Sequence, residues 1–336
     1  MVTIKDVAKI AGVSIATVSR TLAEPEKVSE KTRDKVMKAV EQCGYVTNTL
    51  ARNFRRRRSN TIVVLVPDIS NLFFANIIQG IERVASEHQY RILLGDTQQL
   101  PERERAYADL VSQRQADGVI CLGRNIPFAY RKGRKTLDVE WPPFAMACEY
   151  HGEIPVPTVC IDNIAASEEA VKHLLDLGHR QIAFINGPED SPLCEDRLKG
   201  YRLAMKRAKA AVNGRWLQSG DFTLASGYAC MERLLALPER PSALFCANDE
   251  MAIGAMQACR AAGLTLPSDM SIVGFDDIAF ADYTHPRLTT VHQPRNRIGE
   301  QVMLMMLNML KAGSAEQSRV ILPHELIVRD STAPPQ

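Results

Sequence analysis

The chain has 336 residues, 46% of them hydrophobic, which suits two or three domains with substantial cores and excludes a disordered or low-complexity protein. Its formal net charge is only +2, yet residues 1–60 carry 13 Lys/Arg against 6 Asp/Glu and the remainder carries 28 against 33. A basic head on a mildly acidic body is the charge pattern of a small DNA-binding module joined to a domain that binds something else.

In chain order, Ile4, Val7, Ala8 and Ala11 recur at i, i+3, i+4 and i+7, which predicts a short helix. Thr3 can cap it, with Asp6 three residues on as in a capping box. Gly12 breaks that helix, and Ser14 caps a second one that carries Val18 and Leu22 inward. Two short helices joined by a glycine-containing turn form a helix-turn-helix, whose second helix enters the DNA major groove. A third helix is expected from about Glu30 to Gln42, with Val36, Ala39, Val40 and Cys43 on one face, Ser29 as its cap and Gly44 as its stop. Residues 47–60 have no apolar stripe and contain four consecutive arginines, so without DNA they read as a solvated linker.

After Asn60 the pattern becomes βα alternation. Apolar runs at 61–66, 91–94, 118–122, 144–147, 159–161, 182–185, 243–246, 271–273 and 289–291 predict buried strands. Helical segments at 73–88, 102–114, 165–177, 196–210, 225–236, 249–262 and 296–311 lie between most of them. This predicts doubly wound parallel sheets, and the length suggests two similar α/β subdomains rather than one. A weak echo between Thr61-Ile-Val-Val-Leu-Val-Pro-Asp and Gln181-Ile-Ala-Phe-Ile-Asn-Gly-Pro supports the split.

Ligands of open α/β sheets bind outside the carboxyl ends of the strands. The runs are followed there by Asp68, Asn71 and Phe73-Phe74, then by Cys148-Glu149, Asp162-Asn163, Gly187-Pro188, Asn248-Asp249, Asp276-Asp277 and Gln293. Helix capping alone would explain Asp249 well and Asp162-Asn163 partly. Aromatic and polar groups converging from both halves suit a small polar ligand with a flat face.

The eight cysteines show no Cys-x-x-Cys pair and no zinc spacing, and most lie in apolar runs, so free thiols, no metal and no cofactor are expected. There is no N-terminal apolar signal region and no apolar stretch near twenty residues, which predicts a cytoplasmic protein with no membrane partner. No Gly-x-Ser-x-Gly elbow, Gly-x-x-x-x-Gly-Lys loop or Gly-x-Gly-x-x-Gly fingerprint is present, and His151, His173, His179, His285 and His292 are isolated; the chain does not read as an enzyme.

The segments Asp6-Val-Ala, Ala11-Gly-Val-Ser and Thr17-Val-Ser-Arg, at this spacing, resemble the N-terminus of the lactose-repressor (LacI/GalR) family of bacterial transcription factors, and the resemblance runs through the whole chain. It implies a helix-turn-helix head at 1–46, a hinge helix at 47–60 and a periplasmic-binding-protein-like body at 61–332 of two doubly wound parallel-sheet subdomains. The N-subdomain would take about 61–162 plus 292–322 and the C-subdomain about 163–290 plus 323–332. The chain would cross between them near Asn163, Val291 and Pro323. The implied protein is a cytoplasmic, nucleoid-associated homodimer that binds double-stranded operator DNA, responds to a small-molecule effector and has no assigned co-regulator protein.

Matched to the family motif, Ile15, Ala16 and Arg20 fall where base-reading side chains sit. The first two suit thymine methyl groups and the third a bidentate pair to guanine. Ser14, Thr17 and Ser19 suit phosphates. The hinge helix folds on DNA and inserts an apolar wedge; Ala51-Arg52-Asn53-Phe54 places Phe54 where the family usually has leucine, and Arg55 begins the run that neutralises phosphates.

For the effector, the resemblance implies Phe73, Phe74 and Phe222 as stacking groups and Arg197 and Asp276 as partners of sugar hydroxyls, the removal of Asp276 leaving Arg197 unpaired. Asp68, Cys148, Leu193, Asn248 and Gln293 complete the set. Leu193 and Ser191 depart from purine-responsive members, which carry a polar residue and an arginine there. Val66-Pro-Asp-Ile, Gly187-Pro-Glu, Pro192-Leu-Cys194, Arg197-Leu-Lys-Gly-Tyr201 and Gly220-Asp-Phe-Thr223 resemble the cytidine-responsive branch, except that Cys148 replaces a polar amide. A repressor with a cytidine-like nucleoside effector is therefore expected. A pentose or hexose effector is the alternative, ahead of a solute-binding protein or an α/β enzyme.

Overall fold

A computed structural model describes residues 2–45, 58–128, 141–151, 154, 156–312 and 319–336. The chain forms two compact units, Met1–Ser59 and Asn60–Gln336.

In the first unit, α1 (Ile4–Ala11), α2 (Ile15–Ala23) and α3 (Glu30–Cys43) close a small core of Val7, Ala8, Val18, Val36 and Ala39. The Asp6 carboxylate accepts the Thr3 N–H and hydroxyl, each at 2.8 Å, and these bonds hold it below the usual carboxylate range. Gly12 and Gly44 end their helices in the left-handed conformation, at φ 63° and 62°, where a side chain would be strained. Ser14 accepts the Thr17 N–H at 3.1 Å and so starts the second helix. Ser29 does not cap α3 through its side chain as expected; its hydroxyl bonds the Thr32 hydroxyl at 2.9 Å instead. Ala51, Arg52, Phe54 and Arg55 lie outside the described residues.

The second unit contains two six-stranded sheets. The first has the order β2 (Arg91–Asp96), β1 (Thr61–Val66), β3 (Gly118–Cys121), β4 (Phe144–Ala147), β5 (Thr158–Ile161), β11 (Arg319–Leu322), all parallel. The second repeats that winding as β7 (Leu217–Ser219), β6 (Ile182–Asn186), β8 (Ala243–Cys246), β9 (Ser271–Asp276), β10 (Thr289–His292), β12 (Glu325–Ile327). It is parallel except for its edge, where β12 runs antiparallel to β10. The two echoing sequences are thus the equivalent strands β1 and β6. The chain enters the second sheet after β5, returns after β10, and crosses again after β11.

Both faces of each sheet are covered, which is why the strands read as unbroken apolar runs. Ile62, Val64 and Val66 of β1 join one cluster with Ile77 and Ile81 of α4 (Leu72–Glu87). Val63 and Leu65 face Ala108 of α5 (Pro101–Ser112) on the other side. On the second sheet α6 (Asn163–Asp176) packs with α7 (Pro192–Arg207), and α8 (Leu224–Leu235) with α9 (Asp249–Ala261). The final helix, α10 (Arg295–Ala312), returns to the first sheet beside α4.

The α8–α9 contact needs glycine on both sides. A Cβ at Gly227 would lie 2.1 Å from the Met251 carbonyl oxygen, and one at Gly254 2.0 Å from that of Leu224. Strands β7, β11 and β12, absent from the sequence-based expectation, are short edge strands of three or four residues. No helix among the described residues is long and apolar enough to cross a membrane.

Candidate functional site

Each sheet reverses its winding beside its first strand: β1 lies between β2 and β3, and β6 between β7 and β8. Loops leaving the carboxyl ends on either side of such a point diverge and open a crevice. Here the crevices of the two sheets share one cleft of about 220 Å³. All ten residues expected to meet an effector line it: Asp68, Phe73, Phe74, Cys148, Leu193, Arg197, Phe222, Asn248, Asp276 and Gln293.

The aromatic walls are positioned by local hydrogen bonds. Asn71 caps α4 by accepting the Phe73 N–H at 2.9 Å, and the Phe73 and Phe74 rings meet edge to face at 5.3 Å. Opposite them, Phe222 has φ 70°, and its ring lies so close to Gly187 that a Cβ there would be 2.3 Å from it. Asn248 holds this turn by donating to the Phe222 carbonyl at 2.9 Å while accepting the Met251 N–H at 3.0 Å. Asn248 therefore caps α9. Asp249, expected in that role, is instead fully buried and accepts from the Ile278 N–H at 2.8 Å and the Thr290 hydroxyl at 2.5 Å. Burial first, and then the charge of Asp276, raise its carboxyl well above the usual range. Asp162 does cap α6, accepting from Ile164 and Ala165.

The polar floor is built around Arg197. Its Nε donates to Asn163 at 3.0 Å, a terminal nitrogen donates to the Ala247 carbonyl, and the guanidinium lies 3.8 Å from the Phe275 ring centre. Asp276 stands 3.9 Å from Arg197, beyond hydrogen-bond reach, and accepts from Gln293 at 2.7 Å. Removing Asp276 would thus not strip Arg197 of partners, contrary to the expectation from sequence. Burial pushes the Asp276 carboxyl up to about 6, against the pull of Arg197 and Gln293.

Glu149 and Glu250 are among the carboxylates that line the cleft outside the ten residues expected to meet the effector. Glu149, beside Cys148, accepts the Ser191 hydroxyl at 3.1 and 3.3 Å, and burial pushes it up to about 7. Glu250, in the first turn of α9, is pushed up to about 7 by burial and then by Asp276 and Asp68. Burial likewise drives the Cys148 thiol well up, so it lines the cleft as a neutral group.

Several bonds join the two sheets' loops at one side of the cleft. Arg124 pairs with Asp190 at 2.7 Å, Glu149 meets Ser191, and the Tyr150 hydroxyl donates to Asp196 at 2.6 Å. Asp277 ties the crossing segments by accepting from His292 at 2.9 Å and Arg329 at 2.7 Å, while its carbonyl accepts from Arg295. These charge-assisted bonds hold Asp277 below the usual carboxylate range despite its burial.

On the head, Ser14, Ile15, Ala16 and Arg20 are exposed, and Thr17 and Ser19 are half-buried. Ile15 keeps 45% of its surface open although Val18, three residues on, is fully buried. The outward face of α2 therefore offers the apolar Ile15 and Ala16 and the Arg20 guanidinium, groups suited to thymine methyls and guanine edges. Its hydroxyls are partly spent within the helix, since Ser14 and Thr17 bond each other at 2.8 Å.

Comparison with known proteins agrees with this division. Residues 3–48 match the family described as bacterial regulatory proteins, lacI family, and residues 171–332 match the periplasmic binding protein-like domain. The HTH-type transcriptional repressor CytR of Escherichia coli (strain K12) is 43% identical over 331 residues, covering 98% of this chain and 96% of that one. Catabolite control protein A of Priestia megaterium is 35% identical, covering 98% of this chain and 99% of its own. Among solved structures, the lac repressor dimer bound to operator and the anti-inducer ONPF superposes with a TM-score of 0.88 at 26% identity, over 99% of both chains. The transcriptional regulator CelR in complex with cellobiose does so with a TM-score of 0.73 at 30% identity, over 98% of this chain and 100% of that one. With a helix-turn-helix head, two like-wound sheets and whole-length relatives that are transcriptional repressors rather than enzymes, the chain belongs to the lacI family of bacterial regulatory proteins.

Proposed function

We propose that this repressor binds double-stranded operator DNA as a homodimer and responds to a nucleoside of the cytidine type held in the cleft. The observation that carries the effector assignment is the joining of three aromatic side chains, Phe73, Phe74 and Phe222, with Arg197 and Asp276 in one cavity. A nucleoside offers a flat base to the first group and a hydroxyl-bearing ribose to the second. A free sugar would use the polar groups and leave the aromatic ones less covered. Asp68, Cys148, Leu193, Asn248 and Gln293 form the rest of the wall. On the DNA side, Ile15, Ala16 and Arg20 read bases and Ser14, Thr17 and Ser19 meet phosphates. By the family pattern, Ala51, Arg52, Phe54 and Arg55 act at the minor groove.

A second reading, a pentose or hexose effector, is favoured by the similarity to the cellobiose-bound regulator. Calorimetry of the full-length protein with cytidine, adenosine, uridine, ribose and hexoses separates the two. Cytidine is expected to bind most tightly; a sugar bound in the absence of any nucleoside binding would overturn the nucleoside assignment.

A further inference from the structure

Four helix N-termini reach the cleft, because Asn71, Ser191, Thr223 and Asn248, the caps of α4, α7, α8 and α9, all line it. Such ends ordinarily attract anions through unpaired N–H groups and the helix dipole. In this protein the attraction is weakened from within. Asn71, Thr223 and Asn248 each take one N–H group of their own helix, at 2.9, 3.1 and 3.0 Å. Helix α7 starts with Pro192, which has no N–H, and α9 carries Asp249 and Glu250 in its first turn.

The side chains reinforce this. Asp68, Glu104, Glu149, Asp221, Glu250 and Asp276 line the cleft, whereas among the described residues its cationic lining residues are Arg124 and Arg197 alone. Both guanidiniums already have protein partners. Arg124 is paired with Asp190 at 2.7 Å, and Arg197 is engaged by Asn163, the Ala247 carbonyl and the Phe275 ring. Among the described residues Glu250 makes no hydrogen bond or ion pair, and it stands within electrostatic reach of Asp68 and Asp276. A phosphoryl group needs a fork of guanidinium or ammonium donors, and in a low-dielectric cleft an uncompensated like charge is strongly disfavoured.

We infer that the cleft admits only an uncharged effector and rejects its phosphorylated form, with Glu250 and Asp68 as the residues that set this specificity. The inference rests on the assignment of the cleft as the effector site but holds for either ligand class named above. It therefore concerns the free nucleoside or sugar and not the nucleotide or sugar phosphate that a kinase would make from it.

The test is calorimetry of the full-length protein near pH 8, where a phosphate monoester is a dianion. Cytidine is compared with cytidine 5′-monophosphate, and ribose with ribose 5-phosphate. Each phosphate ester should bind at least about 30-fold more weakly than its parent, and the ratio should shrink as salt is raised. Glu250→Gln and Asp68→Asn should each narrow the ratio by about threefold or more, a change that general loss of fold would not produce. Should ribose bind and cytidine not, the nucleoside reading fails while the sugar pair still tests the rejection of phosphate. A phosphate ester bound within threefold of its parent, or a ratio unmoved by both substitutions, would overturn the inference.

Discussion

Asp276→Asn should separate binding from stability. The carboxyl is pushed from an ordinary 3.8 up to about 6, a balance that already includes the favourable pull of Arg197 and Gln293. At about 1.4 kcal/mol per pH unit, keeping the group ionised near pH 8 costs the fold about 3 kcal/mol. Asparagine preserves the size and an acceptor for Gln293, removes that cost, and tolerates the backbone at φ 111° better than alanine would. Arg197 keeps Asn163, the Ala247 carbonyl and the Phe275 ring. The variant should therefore be as stable as the wild type or more stable by up to about 3 kcal/mol in urea unfolding near pH 8. Its affinity for cytidine should fall by about 10- to 150-fold, the equivalent of one hydrogen bond to a charged group. Destabilisation by more than about 1 kcal/mol with cytidine affinity intact would refute the reasoning and make Asp276 a brace for Arg197.

The remaining expectations concern other sites. Arg20→Ala should cost about 1–3 kcal/mol on the preferred operator and much less on random DNA; equal losses in a binding titration would reduce Arg20 to a phosphate contact. Glu149, raised from 4.5 to about 7, binds its proton more tightly in the folded than the unfolded chain, so its contribution to stability falls as pH rises between those values. His173 and His179, lowered by burial, oppose this trend below their ordinary 6.5, so the comparison is made between about pH 6.5 and 8. Urea unfolding across that range should show wild-type stability declining with pH and a flatter profile for Glu149→Gln; parallel profiles would rule Glu149 out as the source. Gly254→Ala, whose Cβ would sit 2.0 Å from a backbone oxygen, should destabilise by about 1–3 kcal/mol, and a loss below about 0.5 kcal/mol would mean that α8 and α9 can part freely.

The legible parts of the fold were those where one physical signal acts alone. Strands β1, β4 and β8 are buried on both faces, so their apolar runs end where the strands end. Strand β7, Leu-Gln-Ser, is a three-residue edge with a polar majority, and nothing in such a segment distinguishes a strand from a loop. In the cleft, Cys148 and Glu149 were both placed at the end of β4, but position alone does not say which of two neighbours engages the opposite half. The backbone turns at Cys148, φ 70°, and Glu149 meets Ser191. Asp249 looked like a cap because acidic residues begin helices; that Asn248 takes the role and Asp249 points under Ile278 and Thr290 depends on a strand distant in sequence. Pairs such as Tyr150–Asp196 and Arg124–Asp190 join segments far apart in the chain and leave no local trace.

The cleft's composition also explains why the site lies between two sheets instead of within one. Among the described residues, the loops of the first sheet supply Phe73, Phe74 and Glu149 to the cleft, and their one cation there, Arg124, pairs with Asp190 of the opposite half. Those of the second supply Arg197, Asp276 and Phe222, a polar floor with a single aromatic wall. Neither half alone encloses a ligand that is flat on one side and hydroxylated on the other. Asp276 and Asp277, adjacent in sequence, face different tasks: the first lines the cleft, and the second binds His292, Arg295 and Arg329 at the segments where the chain passes between the sheets. A ligand that contacts both halves binds best to one relative placement of them, so by linkage its binding free energy and the free energy of that placement are inseparable.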